Sequence, residues 1–147
     1  AWWEMLSGYS VPGVAAENEA AYSLAMKWLK MKDSKRAVAG WSTYSAVLSI
    51  RSDDELDLDE IKSLLEKVEA EIDTAPNKVK YCMNGFVISV GSYVKPLLKA
   101  AKATAKKIGV VEVDMGDTAC QTPLATDMIA KIESMGRVGK KRKTAKC

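Results

Sequence analysis

The sequence contains no histidine, a single phenylalanine and only three cysteines among 147 residues. Without histidine there is no imidazole to activate a serine or cysteine nucleophile, and none to ligate a metal. Cys82, Cys120 and Cys147 are widely spaced and form no CxxC pair. A structural zinc site needs four ligands, so no metal and no cofactor are expected. Scattered thiols of this kind read as reduced cysteines in a cytoplasmic protein. Cys82 falls in the most apolar segment and reads as an inert core residue. No apolar run approaches the roughly 18–20 residues of a membrane helix, and no basic stretch precedes an apolar one at the N-terminus. The glycines Gly85, Gly91, Gly136 and Gly139 do not fall in the pattern of a nucleotide-binding loop.

What is present is apolar and charged in ordinary globular proportions, 48% hydrophobic and 28% charged. That suffices for one domain with a core. The net charge of +3 conceals an asymmetry. Residues 1–73 hold 8 Lys/Arg against 14 Asp/Glu, a net of −6, and residues 74–147 hold 14 against 5, a net of +9. A basic C-terminal half suits a polyanionic partner, and equally a solvated surface with a flexible end.

Periodicity predicts helices throughout. Residues 1–7 read as the end of a helix broken at Gly8 and Pro12-Gly13. Further helices are expected over about 16–31, 35–50 (capped by Ser34), 57–72, 77–90, 93–108 and 123–135. The clearest stripe is Ile61, Leu64, Leu65, Val68 and Ile72, repeating at helical spacing. Gly91-Ser92 reads as punctuation, Gly109 as a stop, and residues 110–115 as a short extended piece. One helix about every 18 residues, joined in pairs by short connections, predicts an all-α HEAT-like or armadillo-type solenoid of helix pairs. A compact helical bundle is the rival. Residues 1–136 form a single helical-repeat domain on this reading, and residues 137–147 a basic tail. Trp2-Trp3 at the very start need neighbours to bury against, so the chain reads as the C-terminal fragment of a longer domain.

Two groups of residues could carry function. The aromatics Trp2, Trp3 and Trp41, with Arg36 and Tyr44 near the last, are either core anchors or a wall that stacks on a sugar or base. Lys95, Lys99, Lys102 and Lys106 share one helix face, and Arg137, Lys140, Lys141, Arg142, Lys143 and Lys146 crowd the end of the chain. Each set is either a solvated surface or a track for phosphates, with no power to read sequence.

Four pieces in order carry a resemblance: Trp2-Trp3-Glu4; Arg36-Ala37-x-x-Gly40-Trp41-x-x-Tyr44; Tyr81-Cys82-Met83-Asn84; and Gly116-Asp117-x-x-Cys120-x-x-Pro123-x-Ala125. Together they resemble the C-terminal part of short members of the AlkD-like DNA alkylation repair family. The resemblance implies HEAT-like repeats that bind double-stranded DNA as a monomer and release N3- and N7-alkylpurines. It implies Trp3 and Trp41 beside the deoxyribose, and Arg36, Lys140, Lys141, Arg142 and Lys143 on phosphates. No metal and no membrane are involved. An alkylated purine is already a good leaving group, so aromatic faces and one carboxylate suffice to stabilise charge on the sugar. The family places an aspartate four residues after the first of these tryptophans, and here that position is Ser7. Glu4 is the carboxylate at hand to replace it, although on a helix it points about 100° from Trp3. The alternative is a non-catalytic helical-repeat module that binds DNA or protein.

Overall fold

The computed structural model describes residues 6–31, 33–114, 116 and 121–145. Trp2, Trp3, Glu4, Asp117, Cys120 and Cys147 lie outside the described residues, as do the readings placed on them. The described secondary structure is helical. A π-helical turn, Leu6–Ser10, leads into α1 (Val11–Ala16), followed by α2 (Ala21–Leu29), α3 (Ser34–Ile50), α4 (Leu58–Glu71), α5 (Asn77–Tyr93), α6 (Leu98–Ile108) and α7 (Ala125–Ser134). No helix among the described residues is long and apolar enough to cross a membrane.

Local chemistry explains the boundaries, including those that differ from expectation. The chain does not break at Pro12-Gly13, because Pro12 sits in the first turn of α1, where no donor is required of it. The helix expected over 16–31 is instead divided after Ala16 by a turn at Asn18, whose carbonyl accepts from Ala21 N and whose side chain accepts from Ala20 N. Such Asx turns compete with helix. The cap of α3 is Asp33, not Ser34: its carboxylate accepts from Arg36 N at 3.0 Å. Asp57 caps α4 through Asp59 N and Glu60 N. Between α3 and α4 the acidic connection closes as a single 3₁₀ turn, Asp53–Glu55, held by a Ser52–Glu55 capping box.

Gly91 does not punctuate. It lies buried inside α5, which continues to Tyr93, because the side chain of Ile129 from α7 fills the space a Cβ would occupy. Pro96 falls in a 3₁₀ turn, Lys95–Leu97, so α6 begins only at Leu98. It ends where expected, at Gly109, whose φ is +56°.

The helices stack in two layers. α3 packs most extensively on α2 and α5, α5 in turn on α7, and α4 on α6. One layer is therefore α1, α3, α5 and α7, and the other α2, α4 and α6. Within the first layer α3 and α5 run in the same direction. Gly139 N donates to Ser92 O at the end of α5, and Arg142 N to Ser49 O at the end of α3. Three residues of chain span at most about 10 Å, so both helices must end on the same side. Parallel neighbours in one layer, each preceded by an antiparallel partner in the other, are the geometry of a HEAT-like solenoid.

The core runs along the seam between the layers. Ile61, Leu64, Leu65, Val68 and Ile72 of the α4 stripe are all buried, as are Val87, Val90, Ala101 and Ile129. Trp41, Tyr44 and Phe86 form its aromatic centre. The Trp41 and Phe86 ring centroids lie 5.1 Å apart, and Tyr44 meets Phe86 edge-on at 5.7 Å. Each such pair adds about 0.5–1.5 kcal/mol beyond the area it buries.

Candidate nucleic-acid interface

The cationic end of the chain is folded back onto the helices. α7 closes in a Schellman motif: Arg137 N donates to Ile132 O, Gly136 N donates to Glu133 O, and Gly136 takes a φ of +61°. A β-turn follows over 137–140, with Lys140 N bonded to Arg137 O and Gly139 at a φ of +78°. Glycine at the third position of such a turn is what a type II geometry demands. Gly139 N then reaches Ser92 O at 2.8 Å, and Arg142 N reaches Ser49 O at 2.7 Å. These carbonyls belong to the last turns of α5 and α3 and have no acceptor role within their own helices. Farther on, Ala145 N donates to Glu17 Oε1 at 3.2 Å.

Lys141 points inward. Its Nζ donates to Leu48 O at 3.1 Å and lies 2.8 Å from Asp53 Oδ1. Its side chain is 19% exposed and that of Asp53 29%. An ammonium at the C-terminal end of α3 complements the negative pole of that helix. Lys141 is thus engaged within the protein.

On either side of Lys141 the cations face solvent. Arg137, Lys140, Arg142 and Lys143 are exposed. The turn sets Gly139 against the 3₁₀ turn that precedes α6: a Cβ at Gly139 would lie 3.2 Å from Lys95 Cβ. Lys95 is exposed as well. The basic run and the first lysine of the α6 stripe therefore share one edge of the solenoid, and no carboxylate occurs in residues 92–111 or 134–147. Farther along α6 two lysines are paired within the protein. Lys102 pairs with Glu133 of α7 at 2.8 Å, and its neighbour Lys107 pairs with Glu69 of α4 at 2.6 Å. Arg36 stands apart. It lies in the first turn of α3, whereas residues 139–142 meet the last, which is about 18 Å away along the axis.

The aromatic wall expected at Trp41 is not there. The indole is 1% exposed, enclosed by core residues that include Phe86. Its size and large apolar surface favour the interior, and α5 supplies the partner. Further chain added to the solenoid could only bury it more. Ser7, at the position of the family's aspartate, is buried too, at 5%. Beside it a groove of about 410 Å³ is lined by Gly8, Tyr9, Pro12, Val14, Ser42 and Ala46 among others, none of them charged. The Tyr44 hydroxyl donates to Glu60 at 2.5 Å. Burial, and then the bond to Glu60, push the Tyr44 phenol far above its usual range, and burial pushes Tyr22 up to about 12. Cys82 accepts from Ser42 Oγ at 3.5 Å, and burial pushes its thiol up, away from nucleophilic thiolate.

The seat of the basic run, formed by Ser92, Leu48, Ser49 and Asp53, was not anticipated. A hint existed in Gly136 and Gly139, since two glycines three apart in a basic segment suit turns at positive φ better than a disordered tail.

The fold defined by these helices is that of a HEAT-like helical-repeat protein. A solved structure described as a new family of proteins related to the HEAT-like repeat DNA glycosylases, with affinity for branched DNA structures, superimposes with a TM-score of 0.92. It is 34% identical and matches 100% of this chain and 63% of its own. Uncharacterized proteins of Listeria monocytogenes and Listeria innocua are 30% and 29% identical over 129 residues, 88% of this chain. The chain spans about half the length of these curated relatives, 54%. No family model matches the sequence.

Proposed function

We propose that the chain is a DNA-binding helical-repeat module that grips phosphates without reading sequence and does not itself release alkylated bases. The observation that carries this reading is the seated basic edge: Arg137, Lys140 and Lys143 exposed beside Lys95 with no carboxylate in the flanking segments. Fixed cations on one edge neutralise phosphates and release counterions, a term indifferent to base identity. The solved relative's described affinity for branched DNA makes a branched duplex the first substrate to try. The glycosylase reading draws on the resemblance alone. A buried Trp41 and a buried Ser7 leave no accessible aromatic face or carboxylate at those two positions to stabilise charge on a deoxyribose.

The test has two arms. Titrating labelled linear duplex and a three-way junction should give binding to both that weakens steeply with salt. Incubation with duplex carrying N7-methylguanine should release no base above background, and Ser7→Asp should not create release. Release by the wild-type chain would overturn the non-catalytic part, and absence of binding at low salt would overturn the whole.

A further inference from the structure

We propose that Lys141 is a positioning residue: it touches no phosphate, and it seats the turn 137–143 so that its neighbours do. The inference rests on the DNA-binding reading above and concerns how that edge is built. Five cations fall within residues 137–143, and by sequence they are interchangeable. The structure separates them. Lys141 is turned into the protein, its ammonium shared between Leu48 O at the end of α3 and Asp53 in the turn that follows. One ammonium donor is thereby satisfied by a carbonyl, and the charge is paired with the Asp53 carboxylate.

The consequence for its neighbours is geometric. Residues 140–142 form no helix, turn or bend. With Lys141 held inward, Lys140 and Arg142 are directed outward, and both are exposed. The bonds from Gly139 N to Ser92 O and from Arg142 N to Ser49 O lie immediately before and after this anchor. All three span α5 and α3, so the cationic edge is fixed relative to the solenoid before any ligand arrives. A seated segment does not lose that backbone freedom on binding, whereas a free tail would.

A phosphate ligand and a positioning residue differ in two measurable ways. Losing a phosphate ligand lowers the slope of log K against log salt by about one. Losing a seat leaves the number of neutralised phosphates, and so the slope, unchanged while affinity falls. The experiment compares Lys141→Met, Asp53→Asn, Lys141→Arg and Lys143→Met in the 147-residue chain. Amide exchange of the free proteins is measured at Gly139 and Arg142, and binding of a three-way DNA junction across a salt series.

Lys141→Met and Asp53→Asn should speed exchange at both amides by at least about tenfold, with α3 and α5 interiors unchanged. They should weaken binding several-fold at constant slope. Lys141→Arg should keep both amides protected, and Lys143→Met should lower the slope with exchange unaltered. Unchanged exchange in Lys141→Met and Asp53→Asn, or a reduced slope in Lys141→Met, overturns the proposal. A wild type that binds DNA together with a Lys141→Met that binds equally well removes only the role given to Lys141. A wild type that binds no DNA removes the DNA-binding reading and that role with it, and the exchange measurements then report on the seat alone.

Discussion

Tyr44 shows what one buried polar atom does in this core. Its ring packs edge-on against both Phe86 and Tyr22, and its hydroxyl donates to Glu60, joining α3 to α4 across the two layers. Burial and the neighbouring carboxylate both oppose ionisation, so its pKa in the folded chain lies far above the unfolded value near 10. Tyr22 is raised in the same sense, to about 12. Below pH 10 both phenols are protonated whether the chain is folded or not, and they add no slope. Above pH 10 the unfolded chain releases protons that the folded chain holds, so stability is lost as pH rises. The melting temperature should decline gently from about pH 8, where the unfolded chain ionises the Cys82 thiol that burial keeps protonated, and fall more steeply from pH 10 upward. Tyr44→Phe should lower it at neutral pH by the loss of a charge-assisted bond, about 1.5–3 kcal/mol, and should make the alkaline fall shallower. A fall of equal steepness in Tyr44→Phe would show that other groups govern the alkaline limit.

Three glycines inside helices mark how the elements approach one another. In α3, a Cβ on Gly40 would lie 3.0 Å from Leu29 N and 3.1 Å from Ala25 O, so α2 crosses α3 backbone to backbone. At Gly91 of α5 a Cβ would lie 2.7 Å from two atoms of Ile129, a side chain with no exposed surface into which to swing. Gly85, also in α5, has nothing within 4 Å. Alanine is a better helix former by about 0.8–1 kcal/mol. Gly85→Ala should therefore raise stability by about that amount, and Gly91→Ala should lower it by about 1–3 kcal/mol through overpacking. Gly40→Ala should cost more than Gly91→Ala, because backbone cannot repack as a side chain can. Chemical denaturation of the three variants orders them, and a stabilising Gly40→Ala would contradict the crossing described. The same glycines show what the sequence could reveal. The α4 stripe and the helix-pair rhythm were legible because burial on one face leaves a period in the residue types. Gly91 was read as a break because the reason for it, Ile129, lies 38 residues along the chain. Trp41 was ambiguous for the same cause: an indole suits a core and a ligand wall alike, and only the position of Phe86 decides.

At the scale of the whole molecule, the basic end of the chain is carried back across the acidic half. Lys141 meets Asp53, and Ala145 N meets Glu17, so residues from the half with net +9 lie on the half with net −6. Lys95, Arg137, Lys140 and Lys143 stand exposed on the neighbouring edge. In the acidic half Lys62 pairs with Asp59, and Lys67 with Glu71. Four such cations on phosphates predict a slope of log K against log salt of about −3 to −4, or roughly a hundredfold loss of affinity between 50 and 200 mM salt. Converting Lys140 and Lys143 together to Gln should reduce the slope by about two, and Lys62→Gln should leave it unchanged. Stability should respond in neither case by more than about 0.5 kcal/mol, since exposed charges away from packed contacts contribute little. A slope that Lys62→Gln lowers as much as Lys140→Gln would mean that the field of the whole chain, not this edge, attracts DNA. A slope unmoved by the double substitution would place the phosphates on another face of the solenoid.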